Sequence, residues 1–173
     1  TDPEKKCAKV IGSVLATTYP HGDAALYDAL TRLGQNWVMR YPLIDTTTSF
    51  GNRDGFKAAA YRYTTCHLSK YGDAICKNIE KDTVDYMDNF DGTLKEPTTL
   101  PSLLPNFLAN GSNGIAVSMS TYVPPHNLTE IYNAMLFMIG RVLEGEEYEI
   151  TDIAKYISGP DFPDGGIITS NKE

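Results

Sequence analysis

The stretch Ala58-Ala59-Ala60-Tyr61-Arg62-Tyr63-Thr64-Thr65-Cys66-His67-Leu68-Ser69-Lys70 decides how the chain is read. A run of small residues gives way to an arginine directly before a tyrosine, and then to a helical pattern. Leu68, Gly72, Ile75, Cys76 and Ile79 form an apolar stripe downstream, for which Thr64 or Thr65 is the expected N-cap. Tyr63 is then expected in a loop or first turn, beside free backbone N–H groups that suit a phosphate. A phenol is a poor nucleophile near neutrality because its pKa is about 10. A neighbouring guanidinium favours the phenolate and stabilises charge building on a phosphate under attack. An isolated Arg-Tyr pair is more often a surface or packing feature, so the flanking chain has to decide.

Upstream, residues Glu4 to Ala16 read as a helix, with Cys7, Val10, Ile11, Val14 and Leu15 on one apolar stripe. Lys5, Lys6 and Lys9 fall away from it and are either a solvated face or a phosphate-facing one. Tyr19-Pro20-His21-Gly22 breaks the helix. A second helix follows from Asp23, its expected N-cap, with Leu26, Leu30, Leu33 and Trp37 on the buried side. Arg40 to Ile44 has strand character, and Asp45 to Gly55 is rich in Thr, Gly, Asn and Asp, as expected of an exposed β-hairpin. Helix, turn, helix and β-wing is the order of a winged-helix module, which points the Arg62-Tyr63 pair at DNA.

Downstream, Thr83 to Met87 alternates like a short strand, and Glu96 to Pro105 reads as a boundary with three prolines. Asn110 to Gly114 is a tight turn before the apolar Ile115-Ala116-Val117. Asn127 and Glu130 have capping-box spacing and open a helix to about Leu143, with Leu128, Ile131, Met135, Ile139 and Val142 inside. Thr151 to Ile157 is a short helix stopped at Gly159-Pro160. The fold class expected is α+β, a winged-helix domain over residues 1–94 followed by a second domain over 95–173.

Composition sets the bounds. Hydrophobic residues make up 42% and charged residues 21% of the 173, enough apolar material for a folded core. No apolar run approaches the roughly 18 residues of a membrane span. Cys7, Cys66 and Cys76 are odd in number and lack paired spacing, which favours reduced thiols in a cytosolic protein over a zinc site. The net charge of −7 conceals an asymmetry. Residues 1–77 carry 10 Lys and Arg against 7 Asp and Glu, whereas residues 78–173 carry 5 against 15. A mildly basic first half is compatible with phosphate contacts while the acidic half stays in solvent. The chain opens on Thr rather than Met, which reads as an excised piece of a longer one.

Several stretches together resemble one family. They are Pro20-His21-Gly22-Asp23, Arg40-Tyr41-Pro42-Leu43-Ile44-Asp45, Phe50-Gly51, Ala58 to Thr64, Asp82-Thr83-Val84-Asp85, Pro105-Asn106-Phe107-Leu108, Asn110-Gly111-Ser112, Gly114 to Val117, Pro124 to Leu128 and Gly159-Pro160-Asp161-Phe162-Pro163. Their order and spacing are similar to the breakage-reunion subunit of bacterial type IIA topoisomerases, the A subunits of DNA gyrase and of topoisomerase IV alike. The resemblance covers almost the whole chain.

The resemblance implies that Tyr63 attacks a DNA phosphate and becomes joined to the 5′ end of the cut strand, with Arg62 as the neighbouring catalytic arginine. It implies His21 near the scissile phosphate, where the competing reading is a histidine fixing the turn. Ile115 matches an apolar residue that wedges between base pairs, although its residue type alone suits a core strand. Arg32 and the helix from Asp23 match a DNA-facing helix, and Lys9 lies on the same basic half. Ala24 and Asp28 match an inhibitor pocket that usually offers a hydroxyl and an acid one turn apart. Quinolones are therefore expected to trap the parent enzyme weakly, and Ala24→Ser to raise the yield of trapped cleavage complexes. Equal trapping by both would sink that expectation.

Mg²⁺ and ATP are implied as ligands of a separate ATPase and metal-binding subunit, so no metal residue is assigned here. Asp82, Asp85, Asp88 and Asp91 recur every three residues but flank a strand and a turn. The implied partners are double-stranded DNA, a second copy of the chain as a homodimer across the gate, and the ATPase subunit, in the bacterial cytoplasm at the nucleoid. The alternative is a winged-helix DNA-binding module without cleavage activity. The N-terminal arm of the family is expected before Thr1, and most of the tower domain after Glu173. Three departures stand out: Tyr19 replaces a usual histidine, Asp45-Thr46-Thr47-Thr48-Ser49-Phe50 a glycine-rich wing, and Thr65 and His67 the usual acidic and basic neighbours.

Overall fold

The computed structural model describes residues 3–169 and mixes helices with small antiparallel sheets. Its contacts divide the chain into two compact units between Leu103 and Leu104.

The first unit opens with a short strand, β1 (Lys5–Lys6), that runs straight into helix α1 (Cys7–Thr17). The helix was expected from Glu4. The Glu4 carboxylate instead accepts from the backbone N–H and hydroxyl of Thr47 at 2.9 and 3.0 Å, which holds the chain extended there. Helix α2 (Asp23–Leu33) has Gly22, not Asp23, at its N-cap position, and no side chain caps it. Asp23 is its first helical residue, where a negative charge still complements the helix terminus.

Strand β2 (Ile44–Asp45) and strand β3 (Thr65–Leu68) complete a three-stranded antiparallel sheet in the order β1-β3-β2. Lys5 and Lys6 stand opposite Cys66 and Thr65, while Ile44 and Asp45 stand opposite Leu68 and His67. Central pairing on both edges makes 65–68 a strand rather than the start of a helix. The helix expected there begins later, as α3 (Lys70–Cys76), and its cap is Ser69 rather than Thr64 or Thr65. The Ser69 hydroxyl accepts from Gly72 N–H at 2.9 Å and donates to the Pro42 carbonyl at 2.6 Å. Gly72 lets α3 lie directly on the chain before β2, because a Cβ there would sit 2.2 Å from the Leu43 carbonyl oxygen.

Asp45 to Gly55 does not form the expected hairpin. Only Asp45 pairs as a strand, and the side-chain hydroxyls of Thr46 and Thr48 bind the following residues to β3. Thr46 donates to the Thr65 carbonyl at 2.6 Å, and Thr48 accepts from Thr65 N–H at 3.1 Å. Phe50 then turns inward and is buried. The core comprises Cys7, Ile11, Tyr27, Phe50 and Cys66, with Val10, Leu26, Leu30 and Ile44 packed around it.

The unit ends with a hairpin of β4 (Tyr86–Asp88) and β5 (Lys95–Pro97). Asn89, buried at its turn, donates to the Thr17 carbonyl at 2.6 Å and so ties the hairpin to the end of α1. The four regularly spaced aspartates do not converge. Asp88 pairs with Lys95 at 2.5 Å across this hairpin, and Asp91 accepts from the Thr93 N–H and hydroxyl in its turn.

The second unit contains α4 (Asn106–Ala109), a hairpin of β6 (Ser112–Ala116) and β7 (Met119–Val123), the long helix α5 (Leu128–Glu144) and α6 (Ile150–Ile153). Asn127 caps α5 as expected, accepting from the N–H groups of Thr129 and Glu130. The reciprocal half of the box is not made, since Glu130 accepts from Ser158 N–H at 3.1 Å. Ile131 and Ala134 are buried, whereas Ile139 and Val142, placed inside by their spacing, are exposed. Residues 124–127 meet 160–161: Asp161 N–H donates to the Pro125 carbonyl at 2.8 Å, and the Asn127 amide donates to the Asp161 carboxylate at 3.1 Å. Among the described residues, no helix is long and apolar enough to cross a membrane.

Candidate active site

Tyr63 lies at the end of a turn immediately before β3, not at a helix N-terminus. Its backbone N–H closes that turn on the Ala60 carbonyl at 2.8 Å. The side chain is 64% exposed, and its phenol oxygen has no hydrogen-bond partner among the described residues. The Arg62 guanidinium lies 4.8 Å from the centre of the Tyr63 ring. It therefore covers the ring face by a cation–π contact, leaving both the phenol oxygen and the outward side of the guanidinium open to a ligand. The pair read from sequence is together in space.

The turn is fastened to α2 at two points. The Tyr61 hydroxyl donates to the Asp23 carboxylate at 3.0 Å, joining the turn to the first residue of the helix. His21 stands two residues before that aspartate, exposed, its ring packed edge-on against Tyr19 at 4.6 Å. Tyr19 is thus a wall for His21. Ala24 and Asp28 follow on the exposed side of the same helix. His21 and Tyr63 are each two residues in sequence from the Tyr61–Asp23 bond, which joins the turn of Arg62 and Tyr63 to the start of α2.

The bond to Asp23 is the main reason the Tyr61 phenol is held above its ordinary pKa of 10.0, and the Asp23 charge adds to it. A raised folded-state pKa means that this link is complete below pH 10.0 and is lost as pH rises through the higher value. The difference in 295 nm absorbance between the protein and its Tyr61→Phe variant is expected to titrate with a midpoint above 10.0. A midpoint at or below that value would mean that Tyr61 and Asp23 are not joined in solution.

The second fastening is one that the sequence reading missed. Tyr27, buried on α2, places its hydroxyl 2.5 Å from the Ala59 carbonyl and 2.9 Å from the Thr64 hydroxyl. Its ring meets Tyr61 and Phe50 edge-on, at 5.7 and 6.5 Å. The available signal was the Tyr27, Thr31 spacing, a second stripe beside the leucines. Next to it, burial pushes the Cys66 thiol up to about 12, so it stays protonated at neutral pH and is no rival nucleophile.

Other expected residues stand apart from this cluster. Arg32 is exposed in the last turn of α2, about 13 Å along the axis from Asp23 at 1.5 Å per residue. Lys9 is on the exposed side of α1. Ile115 belongs to the second unit, near the tip of the β6–β7 hairpin, and is 90% exposed. It lies in a strand, as its residue type suggests, but not in a core. Among the described residues, no three His, Cys, Asp or Glu side chains come together as a metal site.

The model of the family described as the A subunit of DNA gyrase/topoisomerase IV matches residues 1–173. The chain is 45% identical over 171 residues to the A subunit of DNA gyrase from Thermotoga maritima, covering 99% of this chain and 21% of that protein. It is 48% identical over 164 residues to the A subunit of DNA gyrase from Helicobacter pylori, covering 95% and 19%. It is 47% identical over 169 residues to the A subunit of DNA topoisomerase 4 from Rickettsia conorii, covering 98% and 22%. The chain spans about a fifth of the length of these curated relatives.

Proposed function

The chain belongs to the family of DNA gyrase and topoisomerase IV A subunits, and from that premise we propose that it carries the DNA-cleaving tyrosine of a type IIA topoisomerase. The observation that supports this most is the open phenol of Tyr63 beside a guanidinium that makes no ion pair among the described residues.

The Tyr63 oxygen attacks a DNA phosphorus in line with the departing 3′ oxygen. The new bond joins tyrosine to the 5′ end, and the bond to the 3′ oxygen breaks. The phenol proton leaves to His21 or to water, and the 3′ oxygen takes up a proton as it departs. Arg62 stabilises the added charge on the phosphate. Attack by the 3′ hydroxyl runs the same steps backward, reseals the strand and frees Tyr63. Two copies, each cutting one strand, open a gate for a second duplex. Mg²⁺ and ATP would be held by the partner subunit rather than by this chain, and the ion would supply Lewis-acid stabilisation at the phosphate. Ile115 presses between base pairs, and Lys9 and Arg32 meet phosphates.

The test is covalent. The full-length parent chain, its ATPase subunit, Mg²⁺ and duplex DNA are mixed and denatured, and DNA bound to protein is mapped by digestion to Tyr63. Salt-sensitive binding without any adduct would leave a DNA-binding module and reject the nucleophile.

A further inference from the structure

We propose that Tyr27 is a positioning residue for Tyr63, a role that rests on the reading of Tyr63 as nucleophile. One oxygen atom of α2 grips the chain on both sides of the reactive turn. The Tyr27 hydroxyl has a single proton. With that proton given to the Ala59 carbonyl at 2.5 Å, its oxygen accepts the Thr64 hydroxyl at 2.9 Å. Residues 59 and 64 bracket Tyr61, Arg62 and Tyr63, so the ends of the turn are closed on one point.

That point is itself fixed. Thr64 is fully buried, and the Tyr27 ring is packed between Phe50 and Tyr61. Tyr63 has no comparable hold on its own side chain, which stands in solvent. Its place relative to an incoming phosphate is therefore set by the backbone of the turn, and that backbone is referenced to Tyr27. The same helix begins at Asp23, two residues after His21. Tyr27 thus keeps nucleophile and histidine in one frame. In-line attack is sensitive to such placement, since a misplacement of about 1 Å can cost about 100-fold in rate.

Tyr27→Phe removes only the oxygen and keeps the packed ring. In the full-length parent with its partner subunit, Mg²⁺ and a linear duplex, the first-order rate of adduct formation on bound DNA is expected to fall about 10- to 100-fold. DNA affinity is expected to stay within about twofold, because Tyr27 is buried and touches no ligand surface. Thr64→Val should give a similar loss and Thr64→Ser should restore the rate. The Tyr27→Phe, Thr64→Val double variant should be no slower than the slower single one, because the two share one network. An unchanged adduct rate in folded Tyr27→Phe, or losses that multiply in the double variant, would overturn the positioning role. Absence of an adduct from the unsubstituted protein would instead reject the nucleophile, and the positioning role would fall with it.

Discussion

Tyr63→Phe in the full-length parent is expected to lower formation of the protein–DNA adduct by at least about 10⁴-fold, the scale on which removal of an enzymatic nucleophile acts. The substitution deletes the attacking atom and little else. The phenol oxygen has no partner among the described residues, and the ring stays available to the Arg62 guanidinium. Unfolding free energies should therefore agree to within about 0.5 kcal/mol, as for other surface changes. Binding of duplex DNA should be retained with an unchanged salt dependence, because no phosphate-neutralising charge is lost. Denaturing gels for the adduct, with equilibrium binding at two salt concentrations, separate these quantities. An adduct that persists would move the chemistry away from Tyr63.

Phe50→Ala is expected to destabilise the protein by about 3 to 5 kcal/mol, the usual range for truncating a buried phenylalanine. Against total stabilities of about 5 to 15 kcal/mol this is a large share. Phe50 is buried, meets Tyr27 edge-on, and occupies the space that a side chain on Gly34 would need, with a Gly34 Cβ only 2.9 Å away. Its carbonyl accepts from the Gln35 amide at 2.7 Å, which holds the backbone in place around the cavity that truncation leaves. Gly51 follows at φ +92, and a Cβ there would lie 2.5 Å from the Phe56 carbonyl oxygen, so the turn cannot easily relax inward. Denaturant unfolding of the chain measures the change. A loss below about 1 kcal/mol would contradict core packing by Phe50.

Phe50 also shows where sequence patterning stops. Its neighbours, Thr46 to Ser49 and Gly51 to Gly55, read as a solvated hairpin, and nothing local marks one aromatic residue as core. Burial comes from Tyr27 and Gly34, residues from a different element. The start of α3 failed for a related reason: Thr65 to Leu68 gain strand partners at residues 5–6 and 44–45, and distant pairing overrides a local helical pattern. Periodicity located α1, α2 and α5 because each buries a stripe set by its own residues. It did not say how far along α5 the covering extends, so Ile139 and Val142 were placed inside and lie in solvent. The contact between Arg62 and Tyr63 was legible because the two residues are adjacent. The part played by Tyr27 was not, since its hydroxyl reaches partners 32 and 37 residues away.

The β6–β7 hairpin has a consequence of a different kind. Five paired positions from Ser112–Val123 to Ala116–Met119 form its ladder. Yet Ile115 and Val117 stand 90% and 95% in water. Full burial of such side chains is worth about 1.5 to 3 kcal/mol each, and folding of this unit leaves that quantity unused. Any surface that came to cover Ile115 and Val117 would meet strands already paired, so the apolar gain would carry no further ordering cost to them.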